Sequence, residues 1–331
     1  MGYKSPEEKL TKTKMIKKMS VFFKYFAFFY VLCILNSPEI VAQEIKSNEG
    51  YAEVTGGKVW YRILGESEKT PLLILHGGPG GTSRSLYLFS PLAQDRPVIL
   101  FDQLGSGRST HHNDTSLLKV PLFVAQVEAI RKSLNLEKVI ILGHSWGTAL
   151  ALEYYLAHPD KVDALIFNSP YFSTSVWEAD ADTLISQLPP HIQKAIDEGE
   201  ATGNFQSSAY QNANRIFLNA YGLRTNRLKS HLDTAIYTGN SFIYNYMWGP
   251  TEFTATGTLK DYHRVEQLSE IKVPVLFITG EYDEARPQTV RYFQSLVPES
   301  EMAVIKGAGH ATMHDNRKDN IQAVRKFLDD L

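Results

Sequence analysis

Val139-Ile140-Ile141-Leu142-Gly143-His144-Ser145-Trp146-Gly147-Thr148 is the stretch whose reading decides the fold. Four apolar residues, three of them β-branched, read as a strand buried on both faces. A helical stretch, Thr148 to His158, follows. Between them stands Gly-x-Ser-x-Gly, a spacing that chance produces often. Set between a buried strand and a helix, it is specific: the glycines permit a sharp, strained turn that lifts the serine hydroxyl above the sheet. The helix N-terminus then faces any negative charge that develops beside Ser145.

Reading outward, the same strand pattern recurs in Leu72–Leu75, Val98–Phe101, Ala164–Phe167, Val273–Ile278 and Met302–Ile305. Tyr51 to Val54 and Lys58 to Ile63 flank Gly56-Gly57 as a hairpin. Strands alternating with helical stretches predict an α/β protein, a mostly parallel central sheet flanked by helices. Together with the serine elbow this is the α/β-hydrolase fold. Residues 170–258 lose the buried-strand pattern, break at Pro189-Pro190 and gather aromatics at Tyr237, Phe242, Tyr244, Tyr246, Trp248 and Phe253. They read as a helical cap inserted into a core formed by residues 44–169 and 259–331.

A serine hydroxyl needs a base to take its proton and a third group to hold that base. In this fold the chain order is serine, acid, histidine, with the partners on loops after later strands. Asp283 follows the strand ending at Ile278, with Glu281 and then Glu284 as competing acids. His310 follows the strand ending at Ile305, with His314 as the alternative base. The pair His310/His314 lacks the glutamate of His-Glu-x-x-His, so no metal is expected. His76-Gly77-Gly78-Pro79-Gly80, after Leu72–Leu75, is placed to donate one backbone N–H to an oxyanion. Gly78 is the preferred donor and Gly77 the next; the second donor is the N–H of Trp146. Gly105-Ser106-Gly107-Arg108-Ser109 lacks the Gly-Lys-Ser/Thr ending of a phosphate loop and reads as a turn.

Of 331 residues, 43% are hydrophobic and 21% charged, as in an ordinary globular protein, and the net charge of −2 offers no basic surface for nucleic acid. The N-terminus differs in character. Lys14, Lys17 and Lys18 precede an apolar run from Tyr25 to Leu35, then Asn36-Ser37-Pro38-Glu39 and Val41-Ala42-Gln43. These are the parts of a secretory signal peptide over residues 1–43, with Met15 read as its start and cleavage after Ala42 or Gln43. The expected location is secreted or periplasmic. The alternative is a retained anchor, for which the run is short against the roughly 20 apolar residues that span a bilayer; only then would the protein contact a membrane. The single cysteine, Cys33, lies in this run, so disulfides play no part in a processed chain.

At this point the sequence resembles the proline iminopeptidases, serine peptidases of the same fold, and the related tricorn-interacting aminopeptidase factor. The resemblance rests on His76–Gly80, Asp102-Gln103-Leu104-Gly105-Ser106-Gly107-Arg108-Ser109, Gly143–Gly147 and Gly280-Glu281-Tyr282-Asp283-Glu284, together with Gly249-Pro250-Thr251-Glu252-Phe253 in the cap. It covers the chain from about residue 50 onward. It implies removal of an N-terminal residue, preferentially proline, from short peptides with a free N-terminus, with no cofactor. It also implies that Glu252 and Glu284 bind the substrate amino group; without a metal, fixed carboxylates are the groups that recognise an ammonium strongly. Thr148 departs from the pattern, standing where many relatives have glycine. Reference values of about 6.5 for His310 and about 8 for the amine place the expected optimum near neutral to mildly alkaline pH. Two rival readings are an esterase, lactonase or amidase with the same triad, and a non-catalytic ligand sensor on this scaffold.

Overall fold

The computed structural model describes residues 46–225 and 239–331. The expected leader over residues 1–43, with Cys33, lies outside the described residues, as does Tyr237 of the aromatic group.

Eight strands form one sheet: β1 (Ser47–Val54), β2 (Gly57–Leu64), β3 (Leu72–Leu75), β4 (Val98–Phe101), β5 (Val139–Ser145), β6 (Val162–Pro170), β7 (Val275–Gly280) and β8 (Ser300–Ile305). Their spatial order is β1-β2-β4-β3-β5-β6-β7-β8. β1, β2 and β4 pair antiparallel, and every pairing from β4 to β8 is parallel. The sheet is therefore mostly parallel, as the continuous apolar runs predict.

Alternation along those runs builds two cores. Leu73, Leu75, Ile141, Phe167 and Phe277 face one layer; Leu72, Ile74, Ile140, Leu142 and Ile166 face the other. The first layer is closed by helices α1 (Val120–Ser133) and α2 (Trp146–Ala157). α2 buries nine of its twelve residues, Trp146 to Leu152 and Tyr154-Tyr155. Such a helix is apolar nearly all round because it is packed nearly all round.

Between β6 and β7 come α3 (Thr174–Ile185), α4 (Pro190–Thr202), α5 (Ser208–Phe217) and α6 (Ser241–Met247). Side-chain oxygens of Ser173, Ser207 and Asn240 accept backbone N–H bonds at the starts of α3, α5 and α6. A third cluster, including Leu184, Ile192, Tyr210, Phe217 and Phe253, lies within this insertion. After α5 the chain makes a π-turn over Leu218–Gly222, closed by Leu223 N–H donating to the Leu218 carbonyl (2.8 Å). α7 (Pro287–Ser295), α8 (Thr312–Asp315) and α9 (Arg317–Asp329) complete the chain.

Candidate active site

Ser145 ends β5 and precedes α2 with φ 55° and ψ −126°, a left-handed conformation for a residue with a side chain. Strain of this kind costs roughly 1–3 kcal/mol and persists only where the surroundings over-determine it. They do so here. A Cβ on Gly143 would run into the backbone of Gly147 and Thr148, and one on Gly147 into the carbonyls of Leu75 and His76. Thr148 adds a tie that a glycine could not: its hydroxyl donates to the Ser145 carbonyl (2.7 Å) and accepts from Tyr171 N–H (2.9 Å).

Asp283 follows β7 and is 1% exposed. Its Oδ1 accepts from His310 Nδ1 (2.9 Å) and from Ala285 N–H (2.9 Å), and its Oδ2 from Gly280 N–H (3.0 Å). Burial alone would push this carboxyl up; the His310 ring and the backbone donors outweigh it and hold Asp283 below the ordinary range. Glu281, the competing acid, instead accepts from Gly307 N–H (2.9 Å) at the surface.

His310 follows β8 and is fixed at every polar backbone atom. Its N–H donates to the Tyr221 carbonyl (2.7 Å) in the π-turn, and its carbonyl accepts from Ser169 Oγ (2.8 Å). The ring packs against His144 (5.0 Å) and edge-on to Trp177 (5.3 Å). Burial would lower this imidazole. Asp283, with Glu284 and Glu252 behind it, reverses the effect and raises it to about 9. The reference value of 6.5 therefore does not apply in the empty site. His144, with no carboxylate bonded to it, is pushed by burial down to about 3 and stays neutral. His314, the alternative base, is pushed below the ordinary range by burial, and among the described residues no carboxylate is bonded to its ring.

Gly77 and Gly78 follow β3 and lie beside the nucleophile. A Cβ on Gly77 would stand 2.9 Å from Ser145 Cβ, while Gly78 adopts φ 59° and borders Ser145 in both adjoining cavities. Gln103 holds this loop to α2. It takes the His76 ring on its own N–H (3.0 Å), donates Nε2 to the His76 carbonyl (3.0 Å), and accepts Trp146 Nε1–H on Oε1 (3.0 Å). Asp102 beside it accepts from Ser83 and Arg108 N–H groups. The Gly105–Ser109 stretch is thus a turn, as its sequence predicts, and the residues before it clamp the Gly77-Gly78 loop.

Glu252 and Glu284 come together although 32 residues separate them. Both border a cavity of about 420 Å³ that also contains Ser145 and His310. Glu284 is 3% exposed, and its Oε2 has no hydrogen-bond partner. Burial, then the neighbouring Glu252, push its carboxyl well above the usual range. Glu252 and Tyr244 border the same cavity, and two buried indoles fix the Glu252 loop: Trp177 Nε1–H donates to the Glu252 carbonyl and Trp248 Nε1–H to that of Thr251 (both 2.8 Å). Tyr171, Trp177, Tyr244 and Trp248 wall a smaller recess on the other side of Ser145. Of the aromatics noted in the sequence, Tyr244 and Trp248 belong to the site and Phe253 to the insertion's core. Phe242 and Tyr246 face solvent.

Sequence reading passed over Trp177, Ser169, Asn168 and the role of Gln103. Asn168 Nδ2 meets His144 Nδ1 (3.0 Å), and Thr312 and Asn320 complete a buried polar network behind it. Only the indole's rarity among four tryptophans could have drawn attention to Trp177.

Comparison with known proteins bears on the fold and the family. The family model for the alpha/beta hydrolase fold matches residues 70–317. The proline iminopeptidase of Heyndrickxia coagulans is 39% identical over 286 residues, spanning 86% of this chain and 99% of that one. That of Lactobacillus helveticus is 35% identical, over 85% and 97%. The crystal structure of proline iminopeptidase from Mycobacterium smegmatis superposes with a TM-score of 0.79 at 29% identity, covering 86% of this chain and 98% of that one. With the fold, the serine elbow and the relatives in agreement over most of its length, this chain belongs to the proline iminopeptidase family of α/β hydrolases.

Proposed function

We propose that the protein is a serine exopeptidase that releases the N-terminal residue, preferentially proline, from short peptides through an acyl-enzyme. The observation that carries this reading is the placing of Glu252 and Glu284 in one cavity with Ser145 and His310. Two carboxylates facing one cavity, with neither lysine nor arginine among the described residues that border it, suit an ammonium. An ammonium held by these carboxylates in the cavity that Ser145 borders fits attack near the N-terminus of a bound peptide.

In this mechanism His310, with its Nδ1–H on Asp283, takes the proton of Ser145 at Nε2. The serine oxygen attacks the carbonyl of the first residue, and the N–H groups of Gly78 and Trp146 receive the oxyanion; one such donor is worth about 3 kcal/mol of transition-state stabilisation. His310 then passes its proton to the leaving amine, and water reverses the sequence on the ester. The preference for proline rests on the family to which the chain belongs.

The test sets proline p-nitroanilide beside its N-acetyl form and a p-nitrophenyl ester. Turnover of the free amine with refusal of the acetylated compound is expected. Ester cleavage with every anilide untouched would favour the esterase reading. Export by the leader over residues 1–43 belongs to the same proposal and rests on its basic, apolar and small-residue segments. Recovery of a chain beginning at Gln43 or Glu44 outside the cytoplasm is the expected result, and a retained Tyr25–Leu35 segment would mean an anchor.

A further inference from the structure

Glu284 has no role in moving the serine proton, yet it is among the most buried charged side chains in the protein. Its surroundings are unusual for a carboxylate. Asp283 adjoins it in the chain, Glu252 from the 251–254 turn borders the same cavity and raises its carboxyl, and Tyr244 of α6 borders that cavity too. Among the described residues, the titratable cation that acts on it is His310, already paired with Asp283 at 2.9 Å. The neutral ring of His144 lies behind His310. From the π-turn Gly222 approaches it: a Cβ there would stand 3.0 Å from Glu284 Oε1. Among the described residues bordering the cavity there is neither lysine nor arginine. Three carboxyl groups therefore share one imidazolium, with Glu284 itself only 3% exposed, and like charges so placed do not all remain ionised.

Resting on the aminopeptidase reading above, we propose that the empty site stores a proton on Glu284, and that the substrate ammonium displaces it on binding. The balance is simple. A charged amine and a protonated Glu284 give an ammonium–carboxylate pair and one proton released to solvent; no bond to carbon forms or breaks. The ammonium supplies the positive charge that the three carboxyl groups lack, so its arrival favours the ionised carboxylate by the same Coulomb interaction that disfavours it when the site is empty. Affinity for a free-amine ligand then rises with pH while the amine itself stays charged, by about ten-fold per pH unit for each proton released.

The experiment uses the Ser145→Ala protein, which cannot turn over, and titrates it with L-prolinamide at pH 6.5 in buffers of different ionisation enthalpy. The slope of heat against buffer enthalpy is expected to show about one proton released per ligand. Affinity is expected to tighten roughly ten-fold per unit from pH 5.5 to 7. In Glu284→Gln on the same background, binding weakens, the buffer slope collapses and the affinity becomes flat with pH. A buffer-independent heat overturns the proposal, as does full proton release by the glutamine variant. Wild-type turnover of proline p-nitroanilide separates the two failures. If the anilide is cleaved and no proton is released, the stored proton alone is wrong. If the anilide is untouched and prolinamide does not bind, the amine reading falls and this inference with it.

Discussion

The two halves of the active site are built differently. On the sheet side, Ser145, Asp283, His310 and Gly78 leave the carboxyl ends of β5, β7, β8 and β3, within loops a few residues long, and those after β7 and β8 are tied by backbone bonds such as Tyr282 N–H to the Ala308 carbonyl and His310 N–H to that of Tyr221. On the insertion side, Glu252 sits on a short turn between α6 and β7, and its place depends on two side chains, Trp177 and Trp248. Backbone pairing in a parallel sheet tolerates no slip, since one residue of register moves every side chain to the opposite face. An aromatic cluster can be repacked residue by residue. On the proposed mechanism, reaction chemistry is held by the rigid half and choice of substrate by the adaptable one.

Four changes would break or sharpen that contrast. Ser145→Ala should abolish turnover of amine and ester substrates alike, by about 10⁴–10⁶ in kcat, because the residual rate comes only from binding and the oxyanion donors. Glu252→Ala should split the two. Removing one partner of a buried charge pair costs about 2–5 kcal/mol, so kcat/KM for proline p-nitroanilide should fall at least about 30-fold while ester hydrolysis persists. Equal loss on both would erase the division of labour.

The third change concerns pH. With an ester, no ammonium enters the site, and the base is neutral only above its value of about 9. Ester hydrolysis should therefore keep rising as pH rises through about 9, and Glu252→Gln, which removes one of the charges raising His310, should move that limb to lower pH. An ester profile that levels near 6.5 in the wild type would show that the carboxylates do not reach the base. The smallest effect is expected at Thr148→Ala. Losing its bonds to Ser145 and Tyr171 should cost about 1 kcal/mol of stability, read by urea denaturation, with kcat little changed.

Much of the rigid half was legible from the chain alone. Buried strands advertise themselves as apolar runs, and the residues doing chemistry lie within a few positions of their ends. Val139–Gly147 thus places Ser145, and the Gly280–Glu284 and Gly307–His310 loops place acid and base. What escaped is carried by bonds across long sequence gaps. The Gln103–Trp146 bond spans 43 residues and the Ser169–His310 bond 141; neither leaves a local pattern. The His310 titration escaped for the same reason, since three carboxyl groups from distant segments set it. In the insertion, Glu252 was found through resemblance. No periodicity marks a glutamate held by two indoles that lie 75 and 4 residues before it.

The π-turn at Leu218–Gly222 bears on how such enzymes can be rebuilt. Its Tyr221 and Gly222 carbonyls receive the N–H groups of His310 and Ala311, and Asp315 in turn accepts from Arg224, Thr225 and Gly309. The insertion is therefore not a detachable specificity module. A chimaera that replaced it whole with that of another hydrolase would lose the backbone anchors of its own catalytic base. One that kept residues 218–225 from the host, and exchanged only the segments around them, would leave His310 in place to serve a new substrate.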